Sequence, residues 1–254
     1  MKDKLIHVCF VIDSSGSMMG SEDDVIGGFK KTIEEQKAVK DGECIVSLYE
    51  FASNVKQVFL GKKLDEVEDL DYTVGGMTRL YDGIGTAVDD VGKWLADMDE
   101  SERPSKNLIV IITDGGENSS TEYRLKEIKD KIKEQTEKYN WDFIYLGNDL
   151  SDAKDANDIG IKYRGFTTKN KFYNNYDVIS TGLTAYRCAA TAADATLAFD
   201  ASIEKSMTAL NEEYKADTGI DLTNSGDKTS TTEKKFDSMD FDEFKKRFDY
   251  NQWE

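Results

Sequence analysis

Histidine and cysteine, from which many catalytic and zinc sites are built, are scarce in this sequence. Its 254 residues include one His and three Cys, and no two cysteines form a CxxC pair. This composition supports neither a disulfide framework nor a zinc site. His7, Cys9 and Cys44 lie in or beside apolar runs. We therefore expect a histidine built into a strand, thiols packed as small hydrophobic side chains, and no histidine-based catalytic triad.

Positively charged residues are outnumbered by negatively charged ones, and long apolar segments are lacking. The chain has 33 Lys and Arg against 50 Asp and Glu, which gives a formal net charge of −17. A phosphate-neutralising face needs clustered Lys and Arg, so we expect no nucleic-acid partner, whereas cation binding suits an acidic chain. No segment approaches the roughly 18 consecutive apolar residues of a membrane helix, and the first apolar run ends in Asp and Ser rather than a cleavage site. We expect a cytoplasmic protein without a membrane partner.

Short apolar runs alternate with amphipathic stretches through the first two thirds of the chain. The run LIHVCFVID at 5–13 is bounded by turn residues and predicts a buried strand. Residues 44–53 and 54–60 follow each other so closely that we expect an antiparallel hairpin. Near-continuous apolar runs of this kind suit strands that are covered on both faces. The further predicted strands lie within 106–116, 141–149 and 161–168, the last of them at an edge.

Apolar residues recur at helical spacing between these strands. Val25, Phe29 and Ile33 share one face, and residues 80–95 carry a second such face. The alternation predicts an α/β fold: a doubly wound, Rossmann-like, mostly parallel six-stranded sheet with one antiparallel edge strand and helices on both faces. Charged or alanine-rich helices are predicted at about 121–139, 152–160 and 175–215.

The composition divides the chain into three parts. Residues 1–215 form one predicted domain that ends in a helical extension. Residues 216–235 are poor in apolar side chains and predict a flexible linker. Residues 236–254 form either a terminal helix that folds back on the domain or a docking helix that folds on a partner. The apolar face of that helix carries Phe241, Phe244 and Phe248.

Side chains whose oxygen atoms are hard metal ligands occur at two predicted strand ends and in one predicted turn. Asp13, Ser15 and Ser17 follow the first strand, Thr78 lies in the turn GGMTRLYDGIG, and Asp114 follows the most apolar strand. The D-x-S-x-S segment alone is more often a helix-capping loop than a binding site. A parallel sheet brings neighbouring strand ends together, however, so two carboxylates and three hydroxyls can converge. Oxygen ligands without sulfur or imidazole suit Mg²⁺.

The segments DSSGSM, GGMTRLYDGI and ITDGGEN resemble, in order and spacing, the metal-ion-dependent adhesion site of von Willebrand factor A domains. All five metal-site positions of the family are matched, by the residues named above. The resemblance covers about residues 3–170. The YLG-x-x-D strand, short helix and GI at 145–161 are similar to small bacterial and bacteriophage members, and the alanine-rich helix is compatible with that group.

The resemblance implies a role for each residue. Ser15 and Ser17 would coordinate Mg²⁺ directly, and Thr78 would do so directly or through water. Asp13 and Asp114 would act mainly through water and by hydrogen-bonding the hydroxyls. Mn²⁺ and Ca²⁺ are alternative ions. An acidic side chain of a partner protein would complete the coordination, and bacterial relatives lead us to expect an AAA+ ATPase or its target as that partner. The chain itself lacks the G-x-x-x-x-G-K-[ST] loop of such an ATPase.

Three functions fit these features. The leading hypothesis is a non-catalytic, Mg²⁺-dependent protein-binding module. The second is a metal-dependent phosphoester hydrolase that uses Asp13 and Asp114. Such enzymes usually need denser carboxylates, and only Glu117 is placed to enlarge the cluster, although we expect it to be a loop residue near the rim. The third is a structural or assembly protein in which the metal fixes the loops.

Overall fold

The computed structural model describes residues 1–148, 150–189 and 191–221. The predicted tail at 236–254 lies outside the described residues, and so does most of the predicted linker at 216–235. Residues 216–218, the first part of that linker, belong to the last described helix.

Six strands form one sheet in the part of the chain that the structure describes. They are β1 (Lys2–Asp13), β2 (Glu43–Phe51), β3 (Val55–Lys63), β4 (Pro104–Ile112), β5 (Trp141–Gly147) and β6 (Tyr163–Phe166). Their order across the sheet is β3-β2-β1-β4-β5-β6. Neighbouring strands are parallel except at one edge, where β3 pairs antiparallel with β2. The predicted mixed sheet, its hairpin and its weak edge strand β6 are therefore confirmed.

Helices cover both faces of this sheet. They are α1 (Glu22–Ala38), α2 (Leu80–Ala96), α3 (Leu125–Tyr139), α4 (Leu150–Asp158), α5 (Asn174–Cys188) and α6 (Ala192–Thr218). One apolar core lies mainly under α1, α5 and α6, and the other lies under α2, α3 and α4. None of the helices in the described residues has both the length and the apolar character needed to cross a bilayer.

Strand β1 shows why its sequence is apolar at nearly every position. Val8, Phe10 and Ile12 enter the core under α1, α5 and α6, whereas Cys9 and Val11 enter the opposite core. Successive side chains of a strand point to opposite faces, so a strand covered on both sides needs apolar residues throughout. All five side chains are fully or almost fully buried.

The third helix begins later than the predicted residue 121. The Asp82 carboxylate accepts hydrogen bonds from the backbone N–H groups of Thr121, Glu122 and Tyr123, each at 2.9 Å. These contacts hold the segment as a loop against α2, so α3 begins only at Leu125. The predicted helical region 175–215 is likewise interrupted, because it forms α5 and then α6.

Candidate metal centre

The two predicted carboxylates lie where the winding of the sheet reverses. Asp13 ends β1, and Asp114 follows β4, its parallel neighbour. From this pair the chain continues outward in opposite directions, to β2 and β3 on one side and to β5 and β6 on the other. Ligands of open α/β sheets bind in the crevice at the carboxyl ends of the strands at such a reversal. Both carboxylates are buried there.

The three predicted hydroxyls lie together between the loops. Ser15 Oγ lies 3.0 Å from Ser17 Oγ, and Thr78 Oγ1 donates to Ser15 Oγ at 3.0 Å. Ser15 and Thr78 are buried, whereas Ser17 is exposed. The hydroxyl cluster is therefore buried at Ser15 and Thr78 and accessible to solvent at Ser17.

Asp13 joins the loop after β1 to the loop after β4. Its Oδ1 accepts from the Ser15 backbone N–H at 2.7 Å, and its Oδ2 accepts from Thr113 Oγ1 at 2.6 Å. Burial raises the pKa of Asp13 to about 6; hydrogen bonds from Thr113 and Ser15 oppose this shift, and the Asp114 charge adds to it. A cation beside a carboxylate favours its charged form, so a divalent ion would offset the cost of burying Asp13.

Hydrogen bonds from the loop after β4 hold the backbone of Thr78 in place. Asn118 Oδ1 accepts from the Thr78 backbone N–H at 2.9 Å, and the Asn118 N–H donates to the Thr78 carbonyl oxygen at 3.1 Å. The turn before Thr78 is also joined to the first loop, since the Gly16 N–H donates to the Gly76 carbonyl oxygen at 3.1 Å. The three loops of the site thus support one another through main-chain hydrogen bonds.

The donor set and the space around it fit a hard divalent cation. A Cβ atom at Gly115 would lie 2.6 Å from Ser17 Oγ, so a larger residue would require the Ser17 hydroxyl or the backbone beside Asp114 to shift. Carboxylate and hydroxyl oxygens are the ligands that Mg²⁺ and similar ions take. No three His, Cys, Asp or Glu side chains in the described residues form a metal-binding group, and the candidate centre accordingly relies on hydroxyls.

Lys169 is a residue of this centre that the sequence motifs did not reveal. It lies in a single helical turn, Lys169–Lys171, that follows β6. Its ammonium nitrogen lies 3.4 Å from Asp114 Oδ2 and donates to the Ser17 carbonyl oxygen at 2.7 Å. Thr113 was also missed, although it directly precedes Asp114 in the sequence. A lysine far along the chain has no spacing that would connect it to the three motifs.

Glu117 is a loop residue, as expected, and its carboxylate organises the loop after β4. Its Oε1 accepts from the N–H groups of Ser119 and Ser120 at 2.8 and 2.7 Å. Its Oε2 accepts from the Tyr81 N–H at 2.9 Å and from the Ser120 hydroxyl at 2.6 Å. Both oxygens are thus engaged by the loop and by the first turn of α2.

The sequence profile of the von Willebrand factor type A domain matches residues 7–181, and the chain belongs to that family. Domains of this family often serve as metal-dependent protein-interaction modules, and most of them are not enzymes.

Solved structures with the same fold come from varied sources. Proximal thread matrix protein 1 of the mussel byssus has a TM-score of 0.51 and 16% identity, over 71% of this chain and 47% of that protein. The PilB minor pilin of Streptococcus sanguinis has a TM-score of 0.51 and 13% identity, over 72% of this chain and 62% of that protein. The vWF domain of the pili tip protein Mfa5 of Porphyromonas gingivalis has a TM-score of 0.52 and 10% identity, over 74% of this chain and 98% of that domain. These identities show a shared fold alone, and the first two proteins extend well beyond the matched region.

Proposed function

We propose that this chain is a non-catalytic protein-binding module whose metal-ion-dependent adhesion site holds Mg²⁺. Ser15, Ser17 and Thr78 would supply hydroxyl ligands, and Asp13 and Asp114 would act mainly through water and through hydrogen bonds to those hydroxyls. When bound, the ion would offer a Lewis-acidic position to a carboxylate of a partner protein. Mn²⁺ and Ca²⁺ are alternative occupants of the same oxygen set.

The observation that supports this proposal most directly is the cluster of three hydroxyls beside two buried carboxylates. Ser15 Oγ lies 3.0 Å from both of the other hydroxyl oxygens. Three loops that are distant in sequence supply the five side chains, and hydrogen bonds among those loops fix them. Such pre-organisation lowers the cost of ordering ligands around an ion.

Two exposed methionines at the rim of the centre support a proposal about the partner. The loop that carries Ser14, Ser15 and Ser17, here called the serine loop, is followed by Met19, and Met77 directly precedes Thr78. These two methionines are 65% and 53% exposed although both are large apolar side chains. Methionine adapts to irregular apolar surfaces. We therefore propose that the partner presents an acidic side chain with apolar neighbours. The resemblance to bacterial relatives that work beside AAA+ ATPases leads us to propose further that the partner is such an ATPase or its target. We further propose a cytoplasmic protein of the small bacterial or bacteriophage type.

Hydrolysis of phosphoesters is a weaker candidate function because the Glu117 carboxylate is already engaged in hydrogen bonds within the protein. Its two carboxylate oxygens accept four hydrogen bonds from the loop and from α2. A two-metal or carboxylate-rich hydrolytic centre would need such a third carboxylate to face the ion.

The first test is a calorimetric titration of Mg²⁺ into the wild-type chain and into D13N. We expect saturable binding that D13N reduces at least tenfold, because the substitution removes a buried charge beside the hydroxyls. D130N is the matched control, since it removes the same charge from an exposed position on α3 and should leave the affinity within about twofold. Equal Mg²⁺ affinity in all three proteins would contradict the proposal.

The second test is capture of a partner from lysate of the native host on immobilised protein. We expect a protein that is retained by the wild type in Mg²⁺ and lost in EDTA or with D13N. Exchanging the acidic residues of that protein for amides should abolish its retention. Retention that is the same under all conditions would instead favour a structural role for the metal centre.

A further inference from the structure

The loop after β6 places a positive charge inside the candidate metal centre. The Lys169 ammonium contacts Asp114 Oδ2 at 3.4 Å and the Ser17 carbonyl oxygen at 2.7 Å. These two acceptors belong to two different loops of the centre. The Asp114 side chain is 2% exposed, whereas the Lys169 side chain is 47% exposed. The lysine therefore reaches inward from the rim to a buried carboxylate.

The position of this lysine is fixed by the rest of its turn. Lys171, two residues further on, forms ion pairs of 2.7 Å with Glu213 and Asp217 of α6. Phe172 is fully buried in the core under α1, α5 and α6. These anchors hold the backbone at Lys169 beside the crevice, while the exposed stem leaves its ammonium free to turn outward.

We propose that Lys169 is a tethered cation that competes with the divalent metal at Asp114 and so sets the metal affinity of the centre. This inference rests on the proposed function. An ammonium group and a divalent ion repel each other when they share a carboxylate. Metal entry therefore requires Lys169 to move away from Asp114, or leaves the ion bound weakly beside it.

The same charge links metal binding to partner binding. Two carboxylates balance the charge of one divalent ion, so Lys169 adds one positive charge in excess. An incoming carboxylate from the partner balances that excess, either at the ion or at the ammonium. Metal and acidic partner then strengthen each other's binding, and such a coupling is reciprocal. The lysine thus favours metal binding together with an acidic partner over binding of the metal alone.

Calorimetric titration of Mg²⁺ tests the competition without a partner. We expect K169M to bind Mg²⁺ about tenfold more tightly than the wild type, which corresponds to about 1.4 kcal/mol. K169R keeps the charge and should stay close to the wild type. K171M is the matched control, because it removes the same charge from the same turn but pairs with α6, and its affinity should change less than twofold.

Thermal unfolding gives a readout that does not depend on the metal titration. In EDTA, K169M should unfold at a lower temperature than the wild type, because Asp114 loses a counter-charge. In saturating Mg²⁺ this difference should vanish or reverse.

The possible failures are distinguishable. If D13N abolishes Mg²⁺ binding but K169M binds no more tightly than the wild type, the competition is overturned and the metal centre stands. If K171M gains as much Mg²⁺ affinity as K169M, the gain reflects only the loss of a positive charge from this region, and the competition is also overturned. Absence of Mg²⁺ binding in both the wild type and K169M would overturn the proposed function along with this inference.

Discussion

At the residue scale, the backbone of Gly115 packs closely against the hydroxyl of Ser17 in the candidate centre. A Cβ atom at position 115 would lie 2.6 Å from Ser17 Oγ and 3.6 Å from Thr78 Oγ1. Real Cβ atoms are not found at the shorter of these distances, so either the loop after β4 or the Ser17 side chain would have to move. The geometry of the hydroxyls therefore depends on the absence of one methyl group.

We expect G115A to weaken Mg²⁺ binding at least tenfold, because the added methyl group displaces Ser17 Oγ from the other hydroxyls. Calorimetric titration measures the affinity directly. G92A is the matched control, since a Cβ at Gly92 in α2 meets nothing within 4 Å. That variant should keep the affinity and raise the free energy of unfolding by roughly 0.5–1 kcal/mol, as alanine is the better helix former. Full Mg²⁺ affinity in G115A would contradict the expected crowding.

His7 is the single histidine of the chain and lies in β1, as its apolar context predicted. It is fully buried, its Nε2 lies 2.8 Å from Ser47 Oγ, and its ring centroid lies 5.0 Å from that of Trp94. Burial lowers the pKa of His7 to about 3, and a hydrogen bond with Asn107 partly opposes this shift. The folded protein therefore holds this imidazole neutral.

The lowered pKa predicts a loss of stability in mild acid. Below about pH 6.5 the unfolded chain binds a proton at His7 that the folded chain does not, so this contribution falls as the pH drops toward 3. Between pH 6.5 and 5 we expect His7 to lower the free energy of unfolding by about 2 kcal/mol. Urea unfolding of the wild type and H7L over this range isolates the effect, because the carboxylates are common to both. Parallel pH profiles would contradict it.

The sequence pointed to the candidate centre through the ends of two apolar strands and through the glycine-flexible turn that carries Thr78. Asp13 and Asp114 directly follow apolar runs, and a parallel sheet forces such positions together. Thr113 and Lys169 carry no comparable signal. Thr113 reads as the last residue before a turn, and its bond to Asp13 depends on the pairing of β1 with β4. Lys169 depends on the path of the loop after β6, which no periodicity specifies.

At the scale of elements, a buried arginine joins α5 to the end of α1. The Arg187 guanidinium, in a residue that is 3% exposed, donates to the carbonyl oxygens of Gln36 at 2.6 Å, Val39 at 2.8 Å and Asp41 at 3.2 Å. The last carbonyl groups of a helix have no partner within the helix. Arg187 satisfies the Gln36 carbonyl in the last turn of α1 and two carbonyls of the segment that follows, and so fixes the helix α5 against the turn that leads to β2.

We expect R187M to lower the free energy of unfolding by about 2–5 kcal/mol, because it leaves the buried Gln36 carbonyl and two partly buried carbonyls without this donor. R103M provides the comparison. Arg103 donates to the Ala96 and Met98 carbonyls at the end of α2, but it is partly exposed, so water can replace it and a smaller loss should follow. Urea denaturation of both variants measures the loss in the free energy of unfolding. Equal losses in R187M and R103M would mean that the burial of the arginine does not determine how much stability it contributes.

The sheet and most helices were predictable because the periodicity of their apolar residues is strong. Helix boundaries were harder to predict, because hydrogen bonds from residues either distant or close in sequence determine where a helix begins. The start of α3 is set by Asp82, whose carboxylate binds the preceding loop from α2. The break between α5 and α6 is set locally by Thr191, whose hydroxyl accepts from the Asp194 N–H at 3.1 Å and begins a new helix. An alanine-rich stretch continues the helical pattern across that break and hides it.

At the scale of the whole molecule, the net charge of −17 complicates any test with a divalent ion. A strongly acidic chain repels itself, and added salt relieves this repulsion whether or not a specific site exists. An increase in stability with Mg²⁺ alone therefore does not identify a centre. The specific part of the effect is the part that NaCl of the same ionic strength fails to reproduce and that depends on Asp13.

We expect Mg²⁺ at about 100 times its dissociation constant to add about 2.7 kcal/mol to the stability of the wild type beyond matched NaCl, by mass action on the folded state. For a domain of this size each kcal/mol raises Tm by about 2–4 °C, so the rise should be roughly 5–10 °C. Scanning calorimetry of the wild type, D13N and D130N in both salts separates the two effects. D13N should gain only what NaCl provides, while D130N should follow the wild type. If all three proteins respond equally to Mg²⁺ and NaCl, the acidic surface and not the serine loop accounts for the stabilisation, because only a bound ion distinguishes Asp13 from an exposed carboxylate.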